Sequence, residues 1–250
     1  MRWDADGKMT WSIVARDPST GAFGVAVATR FFAVGALCPH ALGGVGALAT
    51  QALVNPTYGP RGLRLLAEGV PAPDVVRILT ESDAGRAQRQ LHAIDAAGRI
   101  GAHTGEECIP WCGHRIEADF SVAGNMLAGQ SVVDDTAAAF AAAAGRPLAE
   151  RMILGLEAGE AAGGDKRGKQ SAALIVYGTE EYPDLDLRVD DHADPLAELG
   201  RLYDESFRTF AVFRKFMATR ANPAGIFDRA AIDAEIARVQ EREEARAAEP

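Results

Sequence analysis

Met9-Thr10 opens the most strand-like stretch of the chain, MTWSIVARDPSTGAFGVAVATR, which runs from Met9 to Arg30. A threonine directly after a methionine becomes residue one when that methionine initiates the chain and is removed. It then carries a hydroxyl and a free α-amine together, so nucleophile and base arrive pre-assembled. The ordinary pKa of an α-amine, about 7.7–8, leaves roughly a tenth or more of it unprotonated at neutral pH. That pairing points to acyl transfer, with the Thr10 hydroxyl attacking an amide. A threonine at a strand start also follows from β-propensity alone. The leader, residues 1–9, would acylate the amine wherever it stays attached; it is polar, without apolar period, and reads as a segment absent from the mature chain.

Acyl transfer also needs donors aimed at a developing oxyanion. Gln51, in the turn Thr50-Gln51-Ala52 at the head of an expected helix, is one candidate, and Asn125 in SVAGNM is another. A helix cap or a satisfied turn would explain either equally well. Glu106, Cys108, Cys112 and His114 crowd one loop, and Cys-x₃-Cys-x-His is a conceivable zinc pattern. A structural zinc wants four ligands with a second pair farther off, and no such pair exists. The loop therefore reads as a pocket lining, with Glu106 and His114 polar and Trp111 packing. Asp190-Asp191-His192 with Asp194 reads as a cap on the next helix rather than a cation site. Gly163 to Gln170 lacks the spaced glycines and terminal Lys-Ser/Thr of a phosphate loop and precedes a strand. No metal and no cofactor is called for by these patterns.

Positioning such residues takes sheets. Pro18-Ser19-Thr20-Gly21 turns the first strand back into the second, and further strands are expected over residues 33–37 and 45–50. Helical patches follow around Leu63–Leu66 and Val75–Leu79, separated by Gly69-Val70-Pro71. Residues 90–95 and 99–104 flank Ala96-Ala97-Gly98 as a hairpin, residues 105–115 read as a loop, and 120–127 as a strand. Two helices are expected over 131–144 and 147–161, then strands at SAALIVY and 185–189. Asp194-Pro195 opens one long helix reaching Phe213. The continuous apolar runs suit strands buried on both faces. Strand blocks alternating with helix pairs predict an α+β fold: two packed antiparallel sheets, each covered outside by helices, a four-layer αββα sandwich. The compact domain is expected over residues 10–220, and residues 221–250 read as a charged helical tail serving solvent or homo-oligomer contacts.

The chain has 250 residues, 48% of them hydrophobic, 24% charged, with a net charge of −9 and a pI near 5.1. That acidity speaks against nucleic acid as a partner. No apolar run is long enough for a membrane-spanning helix, no signal-peptide pattern opens the chain, and three cysteines make no disulfide framework. A cytoplasmic protein is expected.

TWSIVARDPSTGAFGVAVATRFFAVGA, GVGALATQALVNPTYGPRGL, ECIPWCGHR with SVAGNMLAG, GGDKRGKQSAAL and DLRVDDH together closely resemble the family called domain of unknown function 1028, over about residues 9–205. That family in turn resembles the N-terminal-nucleophile (Ntn) hydrolases. The resemblance implies their αββα sandwich, with Thr10 in the nucleophile position. It implies, more loosely, that Asp165 matches the aspartate that steadies the nucleophile. GVAVATR resembles the second strand of proteasome-type subunits, yet Ala28 stands where those have aspartate, and residues 31–60 contain no lysine to tune the threonine. Arg30 is the substitute cation, favouring the unprotonated amine by like-charge repulsion. The reading that results is an N-terminal threonine amidohydrolase for a peptide or small amide. A non-catalytic ligand-binding or assembly protein on the same fold is the alternative, and a metal-dependent hydrolase a third.

Overall fold

The computed structural model describes residues 10–165 and 167–247; the expected leader lies outside them. The chain divides into two compact units, the first ending at Leu199 and the second starting at Gly200. The tail expected from residue 221 falls inside the second unit.

Ten strands of the first unit form two antiparallel sheets. In the larger sheet, β1 (Thr10–Arg16) lies between β2 (Phe23–Thr29) and β8 (Phe120–Asn125). Beyond β2 come β9 (Ser171–Tyr177) and β10 (Leu185–Val189), and beyond β8 the edge strand β7 (Gly113–Ile116). The smaller sheet runs β3 (Pro39–Leu42), β4 (Gly46–Ala52), β5 (Arg89–Asp95), β6 (Ile100–Thr104). Helices α1 (Tyr58–Ala67) and α2 (Ala72–Glu81) pack on the smaller sheet, and α3 (Ser131–Ala142) and α4 (Leu148–Ala161) on the larger. The two sheets face each other, so the order of layers is helices, sheet, sheet, helices. The expected αββα sandwich is the fold of this unit.

Period-two alternation explains why β1 reads as continuously apolar. Trp11 and Ile13 point at α4, where the chain leaves room for them with Gly159 and Gly155. A Cβ at Gly155 would lie 2.8 Å from Ile13 Cδ1, and one at Gly159 would lie 2.7 Å from Trp11 Nε1. Thr10, Ser12 and Val14 point the other way, into the space between the sheets. Val14 joins Phe23, Val25, Val27, Ala47, Ala49, Ile94 and Ile175 in the inter-sheet core. Leu48, Leu91, Ala93 and Leu79 fill the layer between the smaller sheet and its helices. Each fully buried Ile, Leu or Val in these layers contributes about 1.5–3 kcal/mol.

Three sequence-based expectations are corrected here. Residues 33–37 are no strand: Ala33 has a left-handed backbone (φ 54°) and Val34–Ala36 form a 3-10 turn. The strand comes after it, at Pro39–Leu42, across the proline expected to break it. The loop expected over 105–115 contains the start of β7, an exposed edge strand that needs no apolar pattern. The single long helix from Pro195 is two, α5 (Pro195–Ser206) and α6 (Thr209–Arg214).

The second unit holds α6 and α7 (Arg229–Ala247), tied by an ion pair of 3.0 Å between Lys215 and Glu235. Helix α7 lies within residues 221–250. Among the described residues no helix is long and apolar enough to cross a membrane.

Candidate active site

Thr10 is the first residue of β1 and pairs with Thr29 on one side and Asn125 on the other. Thr29 in turn pairs with Ser171 of β9. Directly paired residues of an antiparallel sheet share a face, so Asn125, Thr10, Thr29 and Ser171 form one polar row at the end of the larger sheet. All four are buried. The Thr10 hydroxyl donates to the Thr29 hydroxyl across 3.1 Å. The Ser171 hydroxyl donates to the Phe31 carbonyl and accepts from the Val34 N–H at 3.2 Å, which fixes the turn leaving β2.

Of this row Thr10 lines a pocket of about 480 Å³, its open mouth included, together with the 31–38 turn and residues 50–54. Gln51 lies in its wall. The expectation of a helix start at Thr50-Gln51-Ala52 fails, since these residues end β4 and α1 begins only at Tyr58. Ala52 (φ 66°) takes a left-handed backbone where β4 stops, and Met126 (φ 56°) does so where β8 stops. Together with Ala33 they are the left-handed non-glycine residues among those described, and each adjoins a residue of this site. Such conformations cost of order 1–3 kcal/mol and gather at functional sites.

Beneath Thr10 lies a buried polar network that sequence reading missed. Ser12 donates to Gln51 Oε1 at 2.6 Å and contacts His92 Nε2 at 2.8 Å, while His92 Nδ1 meets the Ser121 hydroxyl at 2.8 Å. Gln51 Nε2 donates to Gln90 Oε1 (2.7 Å) and to the Ala123 carbonyl (3.2 Å). Gln90 Nε2 donates to the carbonyls of Gly113 and Gly124 at 3.0 and 2.9 Å. Asn125 Nδ2 donates to Gln90 Oε1 at 3.1 Å. Backbone carbonyls accept only, so they fix both glutamine amides with nitrogen toward Ala123, Gly113 and Gly124. The one proton of Ser12 is therefore spent on Gln51 Oε1, and His92 Nε2 must carry the hydrogen it gives to Ser12. His92 Nδ1 then accepts from Ser121. Burial, aided by the nearby His114, holds the His92 pKa down at about 3, so the ring stays neutral at physiological pH. The signal in the sequence was the spacing Thr10-x-Ser12 in β1 and Gln90-x-His92 in β5: polar residues two apart, on a strand face that must be buried.

Asp165 is buried and anchors the loop behind β2. It accepts from the Arg30 backbone N–H at 2.8 Å, from the Arg167 N–H at 2.8 Å and from the Arg167 guanidinium at 2.8 Å. Arg30 and Asp165 thus meet, but through the Arg30 backbone. The Arg30 guanidinium is exposed and donates to the Arg167 carbonyl at 2.5 Å. Glu106, Trp111 and His114 do not line the Thr10 pocket. Glu106 is exposed, and His114 Nδ1 meets Thr104 Oγ1 at 2.9 Å, through which it joins Gln90. Asp194 takes the expected capping role, accepting from Ala197 N–H at 3.3 Å at the start of α5 and pairing with Lys169 at 2.9 Å. Among the described residues no group of three or more His, Cys, Asp or Glu side chains could hold a metal ion.

The fold is thus a four-layer αββα sandwich with a threonine at the seam of its two sheets. The chain belongs to the family of unknown function DUF1028, whose pattern matches residues 10–199. It is similar to protein SPO2555 from Silicibacter pomeroyi, a member of that family with a crystal structure. The identity is 33%, the TM-score 0.82, and the match covers 88% of this chain and 96% of that one. A slighter likeness is to Anbu (ancestral beta-subunit) from Yersinia bercovieri, at 13% identity and TM-score 0.37 over 84% of this chain and 99% of that one. At that level it bears on neither fold nor function. No curated protein matches the chain.

Proposed function

We propose that this protein is an amidohydrolase of the N-terminal-nucleophile type, acting on a peptide or small amide through Thr10. The observation that carries the reading is the placement of Thr10: first residue of a central strand, in the wall of a pocket, its hydroxyl already directed to a second hydroxyl at 3.1 Å. In a chain that begins at Thr10, the α-amine lies on the same residue. The hydroxyl oxygen bonds to the amide carbon while its proton passes to the α-amine. The C–N bond then breaks, and that proton leaves with the departing amine. Water, deprotonated by the same α-amine, next attacks the Thr10 ester; the acid is released and the hydroxyl restored. Asn125, paired directly with Thr10, has two amide hydrogens and gives one to Gln90, so the second is a candidate donor for a developing oxyanion. Gln51 is a positioning residue, its amide nitrogen and oxygen both engaged within the network. Asp165 and the Arg30 backbone hold the end of β2, and with it Thr29.

A second reading has an observation in its favour. Among the described residues no charged side chain lines the pocket, and the Arg30 guanidinium reaches the Arg167 carbonyl. A protein on this fold that binds an amide-bearing ligand without cleaving it would need no cation to tune an amine.

Turnover separates the two. Protein beginning at Thr10, its start verified by intact mass, is assayed against a panel of amino-acid anilides beside Thr10→Ala. Hydrolysis that the alanine variant loses by about a thousandfold or more supports the enzyme. Equal rates in both, or none in either, support the binding protein.

A further inference from the structure

The wall beside Thr10 determines what can sit there. Phe31, Val34, Leu37, Leu53 and Val54 supply its apolar part, and Cys38 a thiol whose pKa burial pushes up, so it stays neutral. The polar groups in the lining, Thr10 apart, are already engaged. Thr50 Oγ1 donates to the Asn55 carbonyl at 3.3 Å, Gln51 is bonded at both ends of its amide, and Cys38 Sγ turns toward Gln51 Oε1 at 3.7 Å. Among the described residues no lysine, arginine, aspartate or glutamate contributes to the lining. A ligand side chain with hydrogen-bonding or charged groups would lose water there and find no partner, whereas an apolar one loses nothing.

From this, and resting on Thr10 as the nucleophile for its link to catalysis, we infer that the pocket selects an uncharged, apolar side chain on the acyl part of the substrate amide. The acyl carbon stays bonded to Thr10 through both chemical steps, so its substituent is the part of the substrate held against this wall longest. Leu53 is the rim residue through which the preference can be changed. Its side chain is 54% exposed, while its backbone is held by its N–H to the Gln88 carbonyl at 3.1 Å and by the Arg89 guanidinium on its own carbonyl. A charged residue placed there alters the mouth without burying a charge.

Two measurements on the full chain beginning at Thr10 test this. The first is binding of the product acids N-acetyl-leucine, N-acetyl-lysine and N-acetyl-glutamate by ligand-observed NMR, which requires no turnover. The leucine acid is expected to bind at least about tenfold tighter than either charged acid, the ratio set by an unpaired polar group. The second repeats this with Leu53→Lys, which is expected to move the glutamate-to-leucine ratio about tenfold toward glutamate. Apolar preference without hydrolysis would keep the pocket assignment and remove the catalytic reading. Equal or preferred binding of a charged acid, no binding of any of the three, or a ratio unmoved by Leu53→Lys would overturn the assignment.

Discussion

The hydroxyls of Thr10 and Thr29 lie 3.1 Å apart on neighbouring strands, Thr10 donating. The contact fixes the side-chain direction of Thr10 toward the space between the sheets and makes Thr29 the first group to sense its proton. Thr29→Val, which keeps shape and removes the acceptor, is expected to lower kcat about tenfold, as loss of one hydrogen bond of about 1.4 kcal/mol would. Steady-state kinetics on the anilide that Thr10-initiated protein cleaves checks this; an unchanged kcat would mean the contact plays no part in turnover.

Gln90 joins the two sheets at one point. Its amide nitrogen serves the Gly113 and Gly124 carbonyls, and its oxygen accepts from Gln51 and Asn125. Gln90→Met keeps the volume and strands several of these groups, so it should destabilise the fold by about 2–5 kcal/mol. Urea unfolding measures the loss, and a change under 1 kcal/mol would show that water replaces the side chain.

His92 makes stability depend on pH in a defined window. Its folded pKa, about 3, lies below the ordinary 6.5, so the unfolded chain takes up the proton first. The neutral ring's contribution is whole above pH 6.5 and is lost as pH falls toward 3, at up to about 1.4 kcal/mol per pH unit. Burial lowers the His40 and His114 pKa values as well, so their contributions have the same sign. Unfolding free energies of the native protein and His92→Gln, compared between pH 7 and pH 4, should converge as the pH drops. Parallel curves would place His92 elsewhere.

Asp165 holds the Arg30 N–H and the Arg167 guanidinium from a buried position. Asp165→Ala removes this acceptor from both and should cost about 2–4 kcal/mol, with Asp165→Asn losing less because it keeps one acceptor oxygen. Thermal unfolding of the two variants gives the order; equal losses would argue that charge, not hydrogen bonding, holds the loop.

Much of this architecture is legible in the residues, and the misreadings have physical causes. The β1–β2 hairpin declares itself through Pro18-Ser19-Thr20-Gly21, and both sheets through strand blocks set between helix pairs. The run from Ala33 to Leu37 is apolar because it walls the pocket, not because it pairs in a sheet, and composition does not separate the two. Strand β7 is polar because an edge strand can be. Thr10, Gln51 and Asn125 are brought to one end of the sandwich. Arg30 and Asp165 meet each other through backbone, and the 106–114 loop reaches Gln90 through His114 by way of Thr104 and through the Gly113 carbonyl. His92, Ser12 and Ser121 passed as ordinary strand residues because each sits between apolar neighbours, and Gln90 because it follows Arg89 at the start of its strand. Only the demand that buried polar groups find partners marks them.

The most direct test of the central claim is covalent capture. Protein purified from its own host is treated with a β-lactone, which acylates an activated hydroxyl, then digested and mapped by mass spectrometry. The expected product is a terminal peptide beginning at Thr10 and carrying the acyl group on Thr10. A terminal peptide that always retains residues 1–9, or an acyl group found on any residue but Thr10, would contradict it.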